Sequence, residues 1–158
     1  TRIRFVKKAL ITDSTCLIGL ERIEQLDLLP KLFSSILIPP AVEAEVNLKR
    51  TWLKVEVPRN QVLVTALKNQ LDSGESEAIA LALEYPEILI VLDDLSARKV
   101  GIQLNLKVIG TVGLLLRAKR QGFITEIKPF LKALNQANFR ISEALVQKAL
   151  RLSGEESN

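Results

Sequence analysis

The chain has 158 residues, of which 47 % are apolar and 25 % charged, and its net charge at pH 7 is +4. That composition excludes a disordered chain and suits one domain with a real core. Histidine is absent and Cys16 is the single cysteine, which excludes histidine triads, most zinc sites and an internal disulfide. Catalysis, if any, must lean on carboxylates, lysines, hydroxyls or a metal. Scarce aromatics argue against a base-stacking platform. No apolar run reaches the length of a bilayer span, so no membrane partner is expected. The basic start, "TRIRFVKKALITD", meets an acid at Asp13 with no small-residue cleavage site, so it is not read as a secretory leader and a cytoplasmic location is expected.

In chain order, "KALITD" (8–13) reads as a short buried strand. Apolar residues at Leu17, Leu20, Ile23, Leu26 and Leu29 then predict a helical stretch. "SSILIP" (34–39) is a second strand, and Pro40 suits the first turn of the helix "PAVEAEVNLKR". Between residues 49 and 72, "WLKVEVP" and "QVLVTAL" read as strands or arms. "GESEAIALALEY" (74–85) is helical, and "EILIVLD" (87–93) is the clearest strand. "LSARKVGIQLN" is a helix, "LKVIGT" a strand, and "TVGLLLRAKRQG" a helix closed by Gly122. "ITEIKPFLKALNQA" and "SEALVQKALRLSG" close the chain, with Thr125 and Ser142 as N-caps. Residues 1–152 are expected to form a single domain and residues 153–158 a flexible tail. Alternating strands and helices predict an α/β three-layer sandwich: a mostly parallel sheet of four or five strands, with helices on both faces.

Ligands of such sheets bind beyond the carboxyl ends of the strands. Asp13 ends the first strand, Asp93 and Asp94 end "ILIVL", Glu45 lies on the helix after "ILIPP", and Glu75 opens "GESEAIALA". Clustered carboxylates raise one another's pKa, and a divalent cation makes them tolerable. Mg²⁺ and Mn²⁺ prefer such oxygen ligands. Each acid also has a purely structural reading. Asp13 could cap a helix with Ser14 and Thr15, Asp72 and Glu75 could form a capping box, Asp94 could cap "LSARK", and Glu45 could be solvated. Successive residues of a strand point to opposite sides, so Asp94 is expected to face the metal edge, with Asp93 a second ligand or a helix cap.

Taken together, "ITDSTCLIGLERIEQLDLLPKLFSSILIPPAVEAEV", "LDSGESEAIALALE", "ILIVLDDLSARKVGIQLNLKVIGTVGLLLRAKRQGFI" and "KPFLKALNQANFRIS" resemble the PIN-domain ribonucleases, in particular the toxin-like branch of toxin–antitoxin modules. The resemblance implies a PIN-like sandwich and RNA hydrolysis with Mg²⁺ or Mn²⁺. It assigns the catalytic and metal-binding acids to Asp13, Glu45, Glu75 and Asp94, with Asp93 as a co-ligand. Glu75 stands where many members have an aspartate, and its longer side chain leaves direct contact with the metal in question. Thr15 and Thr111 would support the ligands, and Arg98 and Lys99 could meet RNA phosphates. Lys7, Lys8, Lys119 and Arg120 could flank RNA, although solvated surface is the commoner role of such residues. Implied partners are RNA, a small antitoxin protein and a second copy in a homodimer. Two rival functions remain compatible with the residues: a non-catalytic RNA- or protein-binding module, and another Mg²⁺-dependent doubly wound phosphotransfer protein.

Overall fold

Five short strands make one parallel sheet in the computed structural model, which describes residues 8–155. They are β1 (Lys8–Ile11), β2 (Phe33–Ile38), β3 (Leu53–Val55), β4 (Leu89–Val91) and β5 (Lys107–Ile109), in the spatial order β3-β2-β1-β4-β5. Ile11 pairs with Leu37 on one side and Ile90 on the other, so β1 is central. The chain builds outward from β1 to β2 and β3, then returns to its other side with β4. The crevice at the ends of β1 and β4 is therefore a topological switch point.

The strand residues alternate between two cores. Leu10, Ile36, Ile38 and Val91 join one, with Leu17, Leu20, Leu29, Leu114, Leu131 and Leu134. Ile11, Leu37, Ile90 and Leu92 join the other, with Leu67, Ile79, Leu81 and Ala97. Both faces of the sheet are thus covered, which is why its strands read as continuous apolar runs. The three-layer α/β sandwich expected from the sequence is observed, with all five strands parallel. Among the described residues, no helix is long and apolar enough to cross a membrane.

Several elements differ from their sequence reading. The long helical stretch splits into α1 (Ser14–Arg22) and α2 (Leu28–Leu32), with Glu24 at φ 59 in the turn. The helix opened by Pro40 is shorter than expected: α3 (Pro40–Val46) stops at Asn47, which is left-handed at φ 51. "WLKVEVP" supplies only the edge strand β3, and Trp52 packs against the core. "QVLVTAL" is not a strand or an arm but the helix α4 (Gln61–Leu67). Its β-branched residues suit a strand, yet Asn60 caps it through Leu63 N, and Val64 and Leu67 share one buried face.

The remaining helices are α5 (Ser73–Ala82), α6 (Leu95–Gln103), α7 (Thr111–Arg120), α8 (Lys128–Gln136) and α9 (Glu143–Ser153). Gly122, at φ 84, follows α7 as expected, and Phe123 N donates back to Ala118 O at 2.9 Å. Ser142 caps α9 through Leu145 N. Thr125 does not cap α8, which starts later, after Ile127. The Glu155 carboxylate takes that role: it accepts from Ile127 N and Lys128 N and pairs with Lys119 at 2.9 Å. Glu155 was read from the sequence as part of a flexible tail. Lys7, read as an RNA flank, and the last three residues of that tail lie outside the described residues.

Candidate functional site

Asp13 leaves the end of β1 and is nearly buried, at 6 % exposure. It caps α1: Oδ1 accepts from Cys16 N at 2.9 Å, while Oδ2 accepts from Asp93 N at 3.0 Å. The second bond ties the carboxyl end of β1 to that of β4. Burial, then the charge of Asp93, and to a smaller extent Glu75, pushes this carboxyl up to about 8, against the opposing pull of both amides. Each oxygen uses one lone pair on an amide and keeps another for a ligand.

Asp93 and Asp94 take different jobs at the end of β4. The N-cap position of α7 is Gly110, which has no side chain to offer. Asp93 reaches across instead and accepts from Thr111 N at 2.9 Å and Thr111 Oγ1 at 2.6 Å. A Cβ on Gly110 would stand 3.1 Å from both Asp93 Oδ1 and Arg98 Nη1, so glycine leaves room for that approach. Burial raises the Asp93 carboxyl, while the Thr111 bonds and the nearby Arg98 pull it down. Asp94 caps α6 through Ala97 N at 3.0 Å and is exposed.

Glu75 and Asp72 form the capping box read from the sequence, with Glu75 N donating to Asp72 Oδ1 at 2.8 Å and Asp72 N to Glu75 Oε1 at 3.3 Å. Burial, then the charges of Asp72, Asp94 and Glu45, raises the Glu75 carboxyl to about 7. Exposed Glu45, near the end of α3, accepts from Ser14 Oγ at 3.0 Å. A Cβ on Gly74 would lie 2.4 Å from Glu45 Oε1, so glycine at the start of α5 lets the two helices bring Glu45 and Glu75 together.

The five acids therefore gather at one edge in two overlapping groups, Asp13 with Asp93, and Glu75 with Asp94 and Glu45. Among the described residues, no three stand close enough as placed to share a metal ion. The donor set nevertheless fits a hard divalent cation in its chemistry. It is all oxygen, and a carboxyl held at about 8 by burial and a neighbouring aspartate is a site short of positive charge.

The supporting residues divide. Thr111 is fully buried and holds Asp93, while Thr15 is exposed beside Asp93 and Asp94 in a cleft of about 530 Å³. Arg98 is half-buried and spends a guanidinium bond of 2.9 Å on Leu92 O, so it braces the end of β4. Lys99 is exposed on α6. Lys119 is engaged with Glu155 and Ser153 O, and Arg120 is exposed at the end of α7. Sequence reasoning missed three residues that line the same cleft: Arg22, Asn138 and Arg140. It also missed that Glu77 serves α3, accepting from Ala41 N at 3.1 Å where the cap residue is proline. None of these has a local signal, because each reaches its neighbours only through the fold.

The family described as DUF3368, PIN domain, matches residues 9–155. No curated protein matches the chain.

Proposed function

The chain belongs to the PIN-domain family, whose members are generally nucleases, and from that premise we propose that it is a metal-dependent endoribonuclease. The supporting observation is Asp13: a buried carboxylate at the switch point of the sheet, bonded to the end of the neighbouring strand and held at about 8. Burying a carboxyl among other acids costs free energy, and a cation offsets that cost.

Asp13, Glu45, Glu75, Asp94 and the co-ligand Asp93 would hold Mg²⁺ or Mn²⁺, directly or through water. The bound ion supplies a water acidic enough to attack near neutral pH, and positive charge for the leaving oxygen. The protein supplies orientation. Two amides fix Asp13, the Thr111 amide and hydroxyl fix Asp93, and the Ser14 hydroxyl restrains Glu45. The capping box with Asp72 fixes Glu75 at the start of α5.

The test compares the parent with Asp13→Asn, by calorimetry with Mn²⁺ and by cleavage of single-stranded RNA. The parent should bind Mn²⁺ and cut RNA, and EDTA should abolish cutting. The variant should fold but lose at least about 100-fold in cleavage. Equal cleavage by the two proteins, or cleavage that survives EDTA, would rule this mechanism out. A toxin role, with a small neutralising partner and a homodimer, is the finer part of the proposal. Induced expression of the parent should arrest growth where Asp13→Asn does not, and unimpaired growth with an RNA-cutting parent would remove the toxin role alone.

A further inference from the structure

The cleft beside the acids has a second wall, and it is basic. Arg22, at the end of α1, and Arg140, in the turn between α8 and α9, line it together with Thr15, Asn138, Asp93 and Asp94. Among the described residues, neither arginine forms an ion pair, although two aspartates share the cleft. Arg22 Nη1 donates to Ala137 O at 3.0 Å, and its remaining donors are uncommitted among the described residues. Arg140 makes no hydrogen bond to the described residues and is exposed.

The turn that carries Arg140 is held firmly. Asn138 is left-handed at φ 68, Phe139 N donates to Leu134 O at 2.9 Å, and Ile141 N donates to Asn135 Oδ1 at 2.8 Å. The Phe139 ring lies against α1, where a Cβ on Gly19 would be 2.6 Å from Phe139 Cδ2. Glycine there lets the ring seat, and the ring fixes the residues on either side of it. Arg140 is thus presented by a braced turn, on the same cleft as the acids but not neutralised by them.

We propose that Arg22 and Arg140 form a phosphate-binding wall that grips the RNA backbone next to the bond cleaved at the acidic edge. This rests on the nuclease reading of that edge. Ionised carboxylates at that edge repel a polyanion. Guanidinium groups bind phosphate oxygens with two parallel donors and remain charged at every working pH. Unpaired positive charge beside the acids supplies the attraction that the acids deny, and sets where along the strand the reacting phosphate falls.

The experiment measures binding of fluorescent single-stranded RNA in EDTA, where a metal nuclease cannot cut, across a series of salt concentrations. Arg140→Ala should weaken binding by roughly tenfold, and Arg22→Ala/Arg140→Ala by more. The slope of log affinity against log salt should fall by about 0.7 for each arginine removed. Arg140→Ala should keep the parent Tm, because its side chain is bonded to none of the described residues, and both variants should keep Mn²⁺ binding. Lys68→Ala/Lys132→Ala removes the same charge from exposed sites outside the cleft and should bind RNA as the parent does. Parent-like affinity and slope in the arginine variants, or an equal loss in the lysine control, would overturn the wall. If the parent still cuts RNA in that case, the nuclease reading stands without it. A parent that neither binds nor cuts RNA overturns both.

Discussion

At the scale of residues, adjacent Asp93 and Asp94 show how one dipeptide divides between two tasks. Asp94 satisfies the first turn of its own helix, α6, while Asp93 satisfies that of α7 across the end of the sheet. Local spacing reveals the first, since an N-cap bonds three residues ahead. It cannot reveal the second, which spans 18 residues of sequence. Asp93 also loads Asp13 with repulsion, second only to burial. Asp93→Asn keeps one oxygen for Thr111 N but removes that charge. The Asp13 carboxyl should then titrate below its parent value of about 8 in carbon-13 NMR. An unchanged or higher value would show that Asp93 does not govern Asp13.

At the scale of elements, the local caps of α5 and α9 were legible, whereas the local cap of α4 and the distant cap of α8 were not. Asp72 with Glu75 and Ser142 lie within one turn of the amides they serve, and both signatures were read correctly. Helix α8 starts where Glu155 arrives, from beyond the end of α9, so the local hydroxyl of Thr125 misled the reading. Burial pushes the Glu155 carboxyl up, but the amides of Ile127 and Lys128 and the Lys119 ammonium outweigh it and hold it at about 2. A carboxyl depressed in the folded state stabilises above its unfolded pKa, and that contribution disappears as pH falls through the folded value. Glu155→Gln should therefore cost about 2 kcal/mol in urea unfolding near neutral pH. The gap from the parent should close between about pH 4 and pH 2. A gap that stays constant over that range would show that the clasp is not ionic.

At the scale of the whole molecule, two raised carboxyls couple the candidate site to stability. Asp13 at about 8 and Glu75 at about 7 bind protons more tightly in the folded chain than unfolded, where such groups titrate near 4. Between those values the folded state carries the extra protons, so stability falls as pH rises. Without metal, Tm should be lower near pH 8.5 than near pH 5 by at least about 3 °C. Mn²⁺ displaces those protons and should restore most of the loss at high pH, where the carboxylates are ready to bind it. Asp13→Asn should flatten the metal-free profile and lose the Mn²⁺ rescue. A metal-free Tm that rises across the range would contradict the charge distribution of the site.

The fold class and the strand ends that carry the acids were readable from the sequence because their signals are short-range. Apolar runs mark strands buried on both faces, and acids after such runs fall at the open edge of a parallel sheet. The order β3-β2-β1-β4-β5, the bond from Asp93 N to Asp13 and the placing of Arg22 and Arg140 on one cleft belong to the tertiary structure alone. Those contacts join segments separated by whole helices and strands. Which of them form depends on how the layers stack around both cores, and no window of a few residues holds that information.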